Sequence, residues 1–166
     1  MVLYRLNAMM RLLSMTSAYG IARMQIMTPW LSKAAKQLRD QIDTWFPDRC
    51  TKSPEGWLGD SRHANRKSDH NPDESGCVRG LDLNSRLESS DSLAPYLADQ
   101  IRLAAKSDPR ISYVIYNGRI CSKILNYKWR KYKGINPHAK HVHISFTKLG
   151  DQDARPFDIP LIGGKI

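Results

Sequence analysis

Six residues in the last third of the chain, H-V-H-I-S-F at positions 141–146, alternate strictly between polar and apolar side chains. Successive side chains of a β-strand point to opposite faces, so the pattern predicts a strand with one polar and one apolar face. The polar set is His141, His143 and Ser145, and the apolar set is Val142, Ile144 and Phe146. Any fold for this chain must cover one side of the strand with a core and leave the other side for a cluster of histidines.

Two amphipathic helices are predicted to provide that cover. Thr28 can cap the first helix, Pro29 suits its first turn, and Pro47 ends it. A second helix is predicted from Ser92 to Lys106, with Asp108-Pro109 as its stop. Apolar residues recur at steps of three and four in both helices. The inward faces are Leu31, Ala35, Leu38, Ile42 and Trp45 in the first, and Leu93, Leu97, Ile101 and Ala104 in the second.

A hairpin and one more strand complete the predicted sheet. Residues 111–116 and 119–124 read as two strands joined by a tight Asn117-Gly118 turn. Residues 78–84 predict a shorter strand that places Gly80, Asp82 and Asn84 on one face. The sum is an α+β fold, a small antiparallel sheet with helices packed against it.

The chain has 166 residues, enough for one domain with a real core. We expect that domain at 28–150, an N-terminal extension at 1–27 that is dispensable, and a C-terminal tail at 151–166. Two alternatives for the extension are a weak signal peptide, with Arg5 and Arg11 before a short apolar run, and a cationic amphipathic helix that touches membranes.

The formal net charge of +10 implies an anionic partner, which the charge alone does not identify as nucleic acid, membrane surface or cell wall. The three cysteines are widely spaced and form no C-x-x-C pair, so a cysteine metal site is not indicated. We expect buried free thiols, with one disulfide as the alternative.

Histidines and carboxylates are distributed as a metal site requires. Three of the five histidines, His138, His141 and His143, fall within six residues, and His70 and Asp82 stand in two further segments. Zinc binds neutral imidazole nitrogens and carboxylate oxygens, and a catalytic zinc has three protein ligands. His70, Asp82 and one histidine of the H-x-H pair would supply that set. His63, alone in a loop, is given no role.

The segments S-D-H-N-P-D-E-S-G-C-V-R-G-L-D-L, from Ser68, and H-A-K-H-V-H-I-S, from His138, resemble the metal motifs of the LAS peptidases. That group includes D-alanyl-D-alanine carboxypeptidases, murein endopeptidases and many phage endolysins, and it shares its fold with the Hedgehog signalling domain. The resemblance covers about residues 30–146. It implies zinc held by His70, Asp82 and His143, with His141 as the catalytic group that handles the proton. Asp73 and Glu74 are the fallback carboxylates, because the spacing between His70 and Asp82 is longer than is common in the family.

The implied function is a zinc-dependent hydrolase that cleaves peptide bonds in the stem peptides or cross-links of peptidoglycan, as an endopeptidase or D,D-carboxypeptidase. A phage or prophage endolysin of this kind would be a monomer, made in the host cytoplasm and acting on the cell wall in the periplasm. Arg66, with Arg62 in reserve, is the candidate to bind a substrate carboxylate. Ser68 is expected to position His70 or the substrate, and His138 to line the cleft.

Two rival functions remain open at this point. Asp69-His70-Asn71-Pro72 invites comparison with HNH-type nucleases, and a zinc-containing module that binds the wall without catalysis would keep the same ligands. The run Y-K-W-R-K-Y-K at 127–133 suits either nucleic acid or weak contact with an anionic wall or membrane. We expect no nucleic-acid partner, because the H-x-H strand has no natural role in an HNH site.

Overall fold

The computed structural model describes residues 27–61, 63 and 66–165, and its elements form an α+β fold. The interpretations of residues 1–26 lie outside this part of the chain. The elements are β1 (Trp30–Leu31), α1 (Lys33–Trp45), β2 (Cys77–Val78), β3 (Gly80–Asn84), α2 (Ala94–Ala104), β4 (Ile111–Tyr116), β5 (Arg119–Ser122), β6 (Arg130–Lys131) and β7 (His141–Phe146).

Strand β7 lies inside a five-stranded antiparallel sheet of order β3-β7-β4-β5-β6. Its bounds match the alternating segment of the sequence. The apolar residues of β7 join a core with β3, β4 and both helices, and all six β7 residues are buried. In register, Asp82 pairs with His143 and Asn84 with His141. Directly paired residues share a face, so the predicted polar face of β3 and that of β7 are one surface.

Helix α1 begins later than predicted. Ser32, not Thr28, is its N-cap, and the Ser32 side chain accepts a hydrogen bond from the backbone N–H of Ala35. Leu31 belongs to β1, which forms a parallel pair with β2. The buried face of α1 contains Ala34, Ala35, Leu38 and Ile42. Trp45 is 56% exposed, so its predicted inward position is wrong: it stands in the last turn, beyond the sheet.

Helix α2 and the hairpin follow the prediction with shorter ends. Asn117 and Gly118 both have positive φ, as a tight hairpin turn requires. Strand β5 ends at Ser122 rather than at residue 124, because the backbone N–H of Tyr127 bonds to the Ser122 carbonyl and turns the chain. Strand β6 was not predicted. It has two residues and therefore no readable alternation.

The predicted strand at 78–84 is two strands. Arg79 stands between β2 and β3, where its N–H and that of Gly80 both bond to the carbonyl of Asp69. A Cβ atom at Gly80 would lie 2.9 Å from the carbonyl carbon of Asp69, so only glycine allows this approach. The loop that carries His70 is thereby held against the start of β3.

The segment after Gly150 contributes to the core. Phe157, Ile159 and Ile162 are buried, and the Gln41 side chain bonds both the N–H and the carbonyl of Phe157. The turn at Pro160–Ile162 packs on both helices. The expected domain bounds stay a prediction.

Within the described residues, no helix has the length and apolar character needed to cross a membrane. Cys50, Cys77 and Cys121 are free thiols, and the last two are buried.

Candidate metal centre

Three side chains from three separate segments meet at the polar face of the sheet. His70 comes from the loop before β2, Asp82 from the middle of β3, and His143 from β7. One ligand atom from each lies within 4.8 Å of the other two, so the group could hold a metal ion. Both histidines are buried, and the Asp82 side chain is 20% exposed.

The three residues lie close enough together to share one ion. His143 Nδ1 lies 2.8 Å from Asp82 Oδ1, and His70 Nε2 lies 3.2 Å from His143 Nδ1 and 3.4 Å from Asp82 Oδ2. Metal–nitrogen bonds of zinc length, arranged tetrahedrally, separate neighbouring ligand atoms by about 3.3 Å. The two imidazole nitrogens and the Asp82 carboxylate, whose two oxygens face one histidine each, are therefore close enough together to form a possible His2Asp ligand set.

A backbone carbonyl fixes the orientation of His70. Its Nδ1 atom lies 2.9 Å from the carbonyl oxygen of Trp57. A carbonyl can only accept, so Nδ1 carries the proton, and in the neutral ring the lone pair is on Nε2, which faces Asp82 and His143. Metal-binding histidines characteristically donate their other N–H in this way. Trp57 is held in place through its neighbour Gly56, which exchanges two backbone hydrogen bonds with Asp82.

The charges suit a cation. Burial raises the pKa of the Asp82 carboxyl, but hydrogen bonds from His143 and His70 outweigh burial and hold that pKa well below its usual range. Burial lowers the pKa of His70, whereas its hydrogen bond to Asp82 and the Asp82 charge more than reverse this effect and raise it. The carboxylate is therefore ionised at neutral pH and stabilises positive charge beside it.

His141 lies beside this group without belonging to it. Its Nε2 atom is 3.6 Å from Asp82 Oδ2, and within the described part of the chain this buried atom has no hydrogen-bond partner. Nδ1 of His138 is likewise buried and unpartnered there, and its ring centroid is 4.8 Å from that of His141. Burial lowers the pKa of both rings, to about 4 for His138, so both are neutral at pH 7. A buried polar atom without a hydrogen-bond partner is costly, and the two unpartnered nitrogens lie side by side next to the His70, Asp82 and His143 group.

Asp69 stabilises the arrangement of His70 and His143 through hydrogen bonds, a role that was not predicted from the sequence. Its Oδ2 atom accepts hydrogen bonds from the Tyr113 hydroxyl at 2.6 Å and the Ser145 hydroxyl at 2.5 Å. The Tyr113 ring stacks on His143, with centroids 5.6 Å apart. One carboxylate thus joins the loop of His70 to the two strands that carry and flank His143. Ser145 on the polar face of the strand was the available signal in the sequence.

His63, which was given no role, also lies at the centre. Its ring centroid is 5.5 Å from that of His70, and its Nδ1 atom is 2.9 Å from Asp60 Oδ1. Ring contacts therefore connect all five histidines of the chain.

The remaining candidates are placed as follows. Ser68 Oγ accepts from the backbone N–H of His70 at 3.3 Å, which positions that residue. Arg66 is exposed, and its carbonyl accepts from the Asn71 side chain. Arg62 lies outside the described residues.

Asp73 forms an ion pair with Arg79 instead of joining the ligand group. Glu74, the other fallback carboxylate, is exposed and also outside that group.

Comparison of the chain with models of protein families, with curated proteins and with solved structures found no match.

Proposed function

We propose that this chain is a zinc-dependent hydrolase that cleaves peptide bonds in bacterial peptidoglycan. The observation that carries the proposal is a three-ligand group, His70, Asp82 and His143, with the buried and unpartnered Nε2 of His141 beside it. Catalytic zinc sites have three protein ligands and an open position, whereas structural sites are closed by four. Two imidazoles and one carboxylate are a protein ligand set that catalytic zinc sites use.

The residues of the chain have separate tasks in this proposal. A zinc ion held by the three ligands would supply Lewis-acid activation of water and of the scissile carbonyl. His141 accepts a proton at Nε2, the atom that has no protein partner among the described residues. His138 lies against both His141 and His143, and its proposed task is to line the cleft that receives the peptide. Proton handling of this kind contributes roughly 10²–10⁴-fold to a rate.

The choice of peptidoglycan as substrate rests on the resemblance of the two metal motifs to those of LAS peptidases. The net charge of +10 agrees with a carboxylate-rich wall. Arg66 and Ser68 are proposed to bind the substrate or to position the loop that does. An endolysin of phage or prophage origin, monomeric and acting on the wall from inside the host, is the proposed biological setting.

The test is digestion of purified sacculi by zinc-loaded protein, with the released peptides identified by mass spectrometry. One zinc per chain should co-purify, a chelator should stop peptide release, and added zinc should restore it. A metal-free preparation with full activity would refute the zinc proposal. Zinc binding without any peptide release would identify a non-catalytic wall-binding module, and nicking of plasmid DNA would identify a nuclease.

A further inference from the structure

Residues 109–150 contain nine lysines and arginines and no aspartate or glutamate. This quarter of the chain has a net charge of +9 and so accounts for nearly all of the total of +10. The segment runs from β4 to β7 and includes the strand that carries His141 and His143. The excess charge is therefore concentrated in the segment that supplies His143, His141 and His138, whereas His70 and Asp82 come from the preceding part of the chain.

Two of these cations face each other at the edge of the sheet. Arg119 on β5 and Lys131 on β6 are direct cross-strand partners, both exposed, and β6 is the outermost strand. Like charges placed directly opposite destabilise a strand pair. Neither forms an ion pair within the described residues. The Arg119 guanidinium lies over the Trp129 ring at 5.1 Å. A pair that costs stability and forms no ion pair with a carboxylate in the described part of the chain points to an anion from outside.

The neighbouring Asp99 does not neutralise this pair. Its carboxylate accepts hydrogen bonds from Arg102 and from the indole N–H of Trp129. Arg119 helps to lower the pKa of Asp99, but it ranks behind these closer partners.

The charged edge continues to the histidines. Tyr132 follows Lys131, its backbone N–H bonds to the Gly118 carbonyl, and its ring meets the edge of His138 at a centroid distance of 5.5 Å. A Cβ atom at Gly134 would overlap the hydroxyl end of the Tyr132 side chain, so the backbone at Gly134 lies directly against that end of the ring. Lys133 is exposed and lies between these two residues in the chain, next to Tyr132, whose ring contacts His138; His138 in turn contacts His143.

We propose that Arg119, Lys131 and Lys133, the cationic edge, bind the carboxylates of an acidic peptide substrate and lead it to the metal centre. This inference rests on the proposed function and names the part of the substrate that is recognised. Single-stranded nucleic acid is less suited, because its binding uses free aromatic faces for base stacking. Here Trp129 is covered by Arg119, and Tyr132 is packed between Gly134 and His138.

The experiment compares Arg119→Gln/Lys131→Gln/Lys133→Gln with a control of equal charge change, Lys33→Gln/Lys52→Gln/Lys106→Gln, at three exposed lysines elsewhere. Sedimentation with purified sacculi measures binding of chelator-treated protein, so catalysis plays no part. Three lost charge contacts should weaken binding by about tenfold, and this loss should shrink as salt is added. The control should bind as the unaltered protein does.

A second arm uses sacculi whose carboxylates have been amidated. The unaltered protein should bind these about as weakly as the cationic-edge variant binds native sacculi. Equal binding of both triple variants, or full binding to amidated sacculi, would overturn the inference. Loss of plasmid DNA retention in the cationic-edge variant alone, with sacculus binding unchanged, would assign the surface to nucleic acid instead. Charge-dependent binding to sacculi that zinc-loaded protein does not digest would refute the proposed hydrolysis and leave this surface in place.

Discussion

The Nδ1 atom of His70 lies 2.9 Å from the carbonyl oxygen of Trp57, and this contact determines which ring nitrogen faces the metal ligands. The carbonyl is in turn placed by a buried ion pair. The Arg49 side chain, 1% exposed, binds both carboxylate oxygens of Glu55, and Glu55 accepts the backbone N–H of Asn84 in β3. Residues 49–57 thus form a strap along the free edge of β3 that ends at the His70 contact.

Weakening the strap should weaken metal binding. Glu55→Gln removes the carboxylate that pairs with both terminal nitrogens of Arg49 and leaves Asp43 as its charged partner. The Trp57 carbonyl should then lose its fixed position, and metal affinity should fall by about 10–100-fold, as it does when other groups that orient metal ligands are removed. Competition with a chelating dye measures the affinity, and nitrogen chemical shifts of His70 report its tautomer.

The matched control is Asp153→Asn, which alters ion pairs with Arg110 and Arg155 but no contact of the centre. If Glu55→Gln leaves an unfolded chain, Arg49→Met/Glu55→Met replaces the pair with apolar side chains, which proteins tolerate better. Native metal affinity in a folded strap variant would show that Trp57 needs no such support.

The two histidines of β7 should separate metal binding from turnover. His143→Ala leaves two protein ligands and should lose zinc and activity together. His141→Ala removes a group outside the ligand set, so it should keep zinc and lose roughly two to four orders of magnitude in turnover on sacculi. Atomic absorption and peptide release measure the two effects. Zinc lost from His141→Ala and retained by His143→Ala would reverse the assignment.

The sequence predicts the strands better than it predicts the contacts that orient the side chains of the candidate metal site. β7 is readable because its polar and apolar side chains alternate, and the hairpin is readable because Asn117 and Gly118 adopt positive φ. Asp82 and His143 were expected in one site through the motifs. The contact between Trp57 and His70 uses a backbone carbonyl. Every residue type has one, so no sequence pattern predicts this contact. Long-range contacts of this kind depend on how the loop packs on β3.

The segment after β7 should be essential for stability. Phe157 is 1% exposed, packs at a centroid distance of 6.3 Å from Phe146, and has the Arg110 guanidinium 4.0 Å from its ring centre. Phe157→Ala should therefore lower the free energy of unfolding by about 3–5 kcal/mol. Urea denaturation measures the change. Leu149→Ala, at a residue 64% exposed, is the control and should stay within about 0.5 kcal/mol.

We expect the folded protein to lose stability in acid partly because Asp73 becomes protonated. Hydrogen bonding from the Ser75 hydroxyl, followed by that from Arg79, holds the pKa of the Asp73 carboxyl well below its usual range. A carboxyl with a lowered pKa in the folded state stabilises the protein fully above the unfolded pKa of about 4 and loses this contribution as the pH falls below it.

Asp73→Asn should therefore unfold with a shallower pH dependence below about pH 4 and be less stable than the unaltered protein at neutral pH. Thermal denaturation across a pH series measures both effects. Asp40→Asn, which breaks the exposed ion pair with Lys36, is the control and should change stability by less than about 1 kcal/mol. If the stability of Asp73→Asn fell with pH below about pH 4 as steeply as that of the unaltered protein, other carboxyls would dominate the acid destabilisation.

The direct pairing of Asp82 with His143 has a consequence for how the sheet is assembled. Side chains alternate with a period of two, so a slip of one residue between β3 and β7 would turn these ligands to opposite faces. A slip of two residues would keep Asp82 and His143 on the same face of the sheet. It would still move the Asp82 carboxylate away from the His143 imidazole by the length of two residues along the strand. If His70, Asp82 and His143 bind a metal ion, the ion would favour the correct strand alignment: only molecules in this register would retain it, and its binding energy would be added to that register alone.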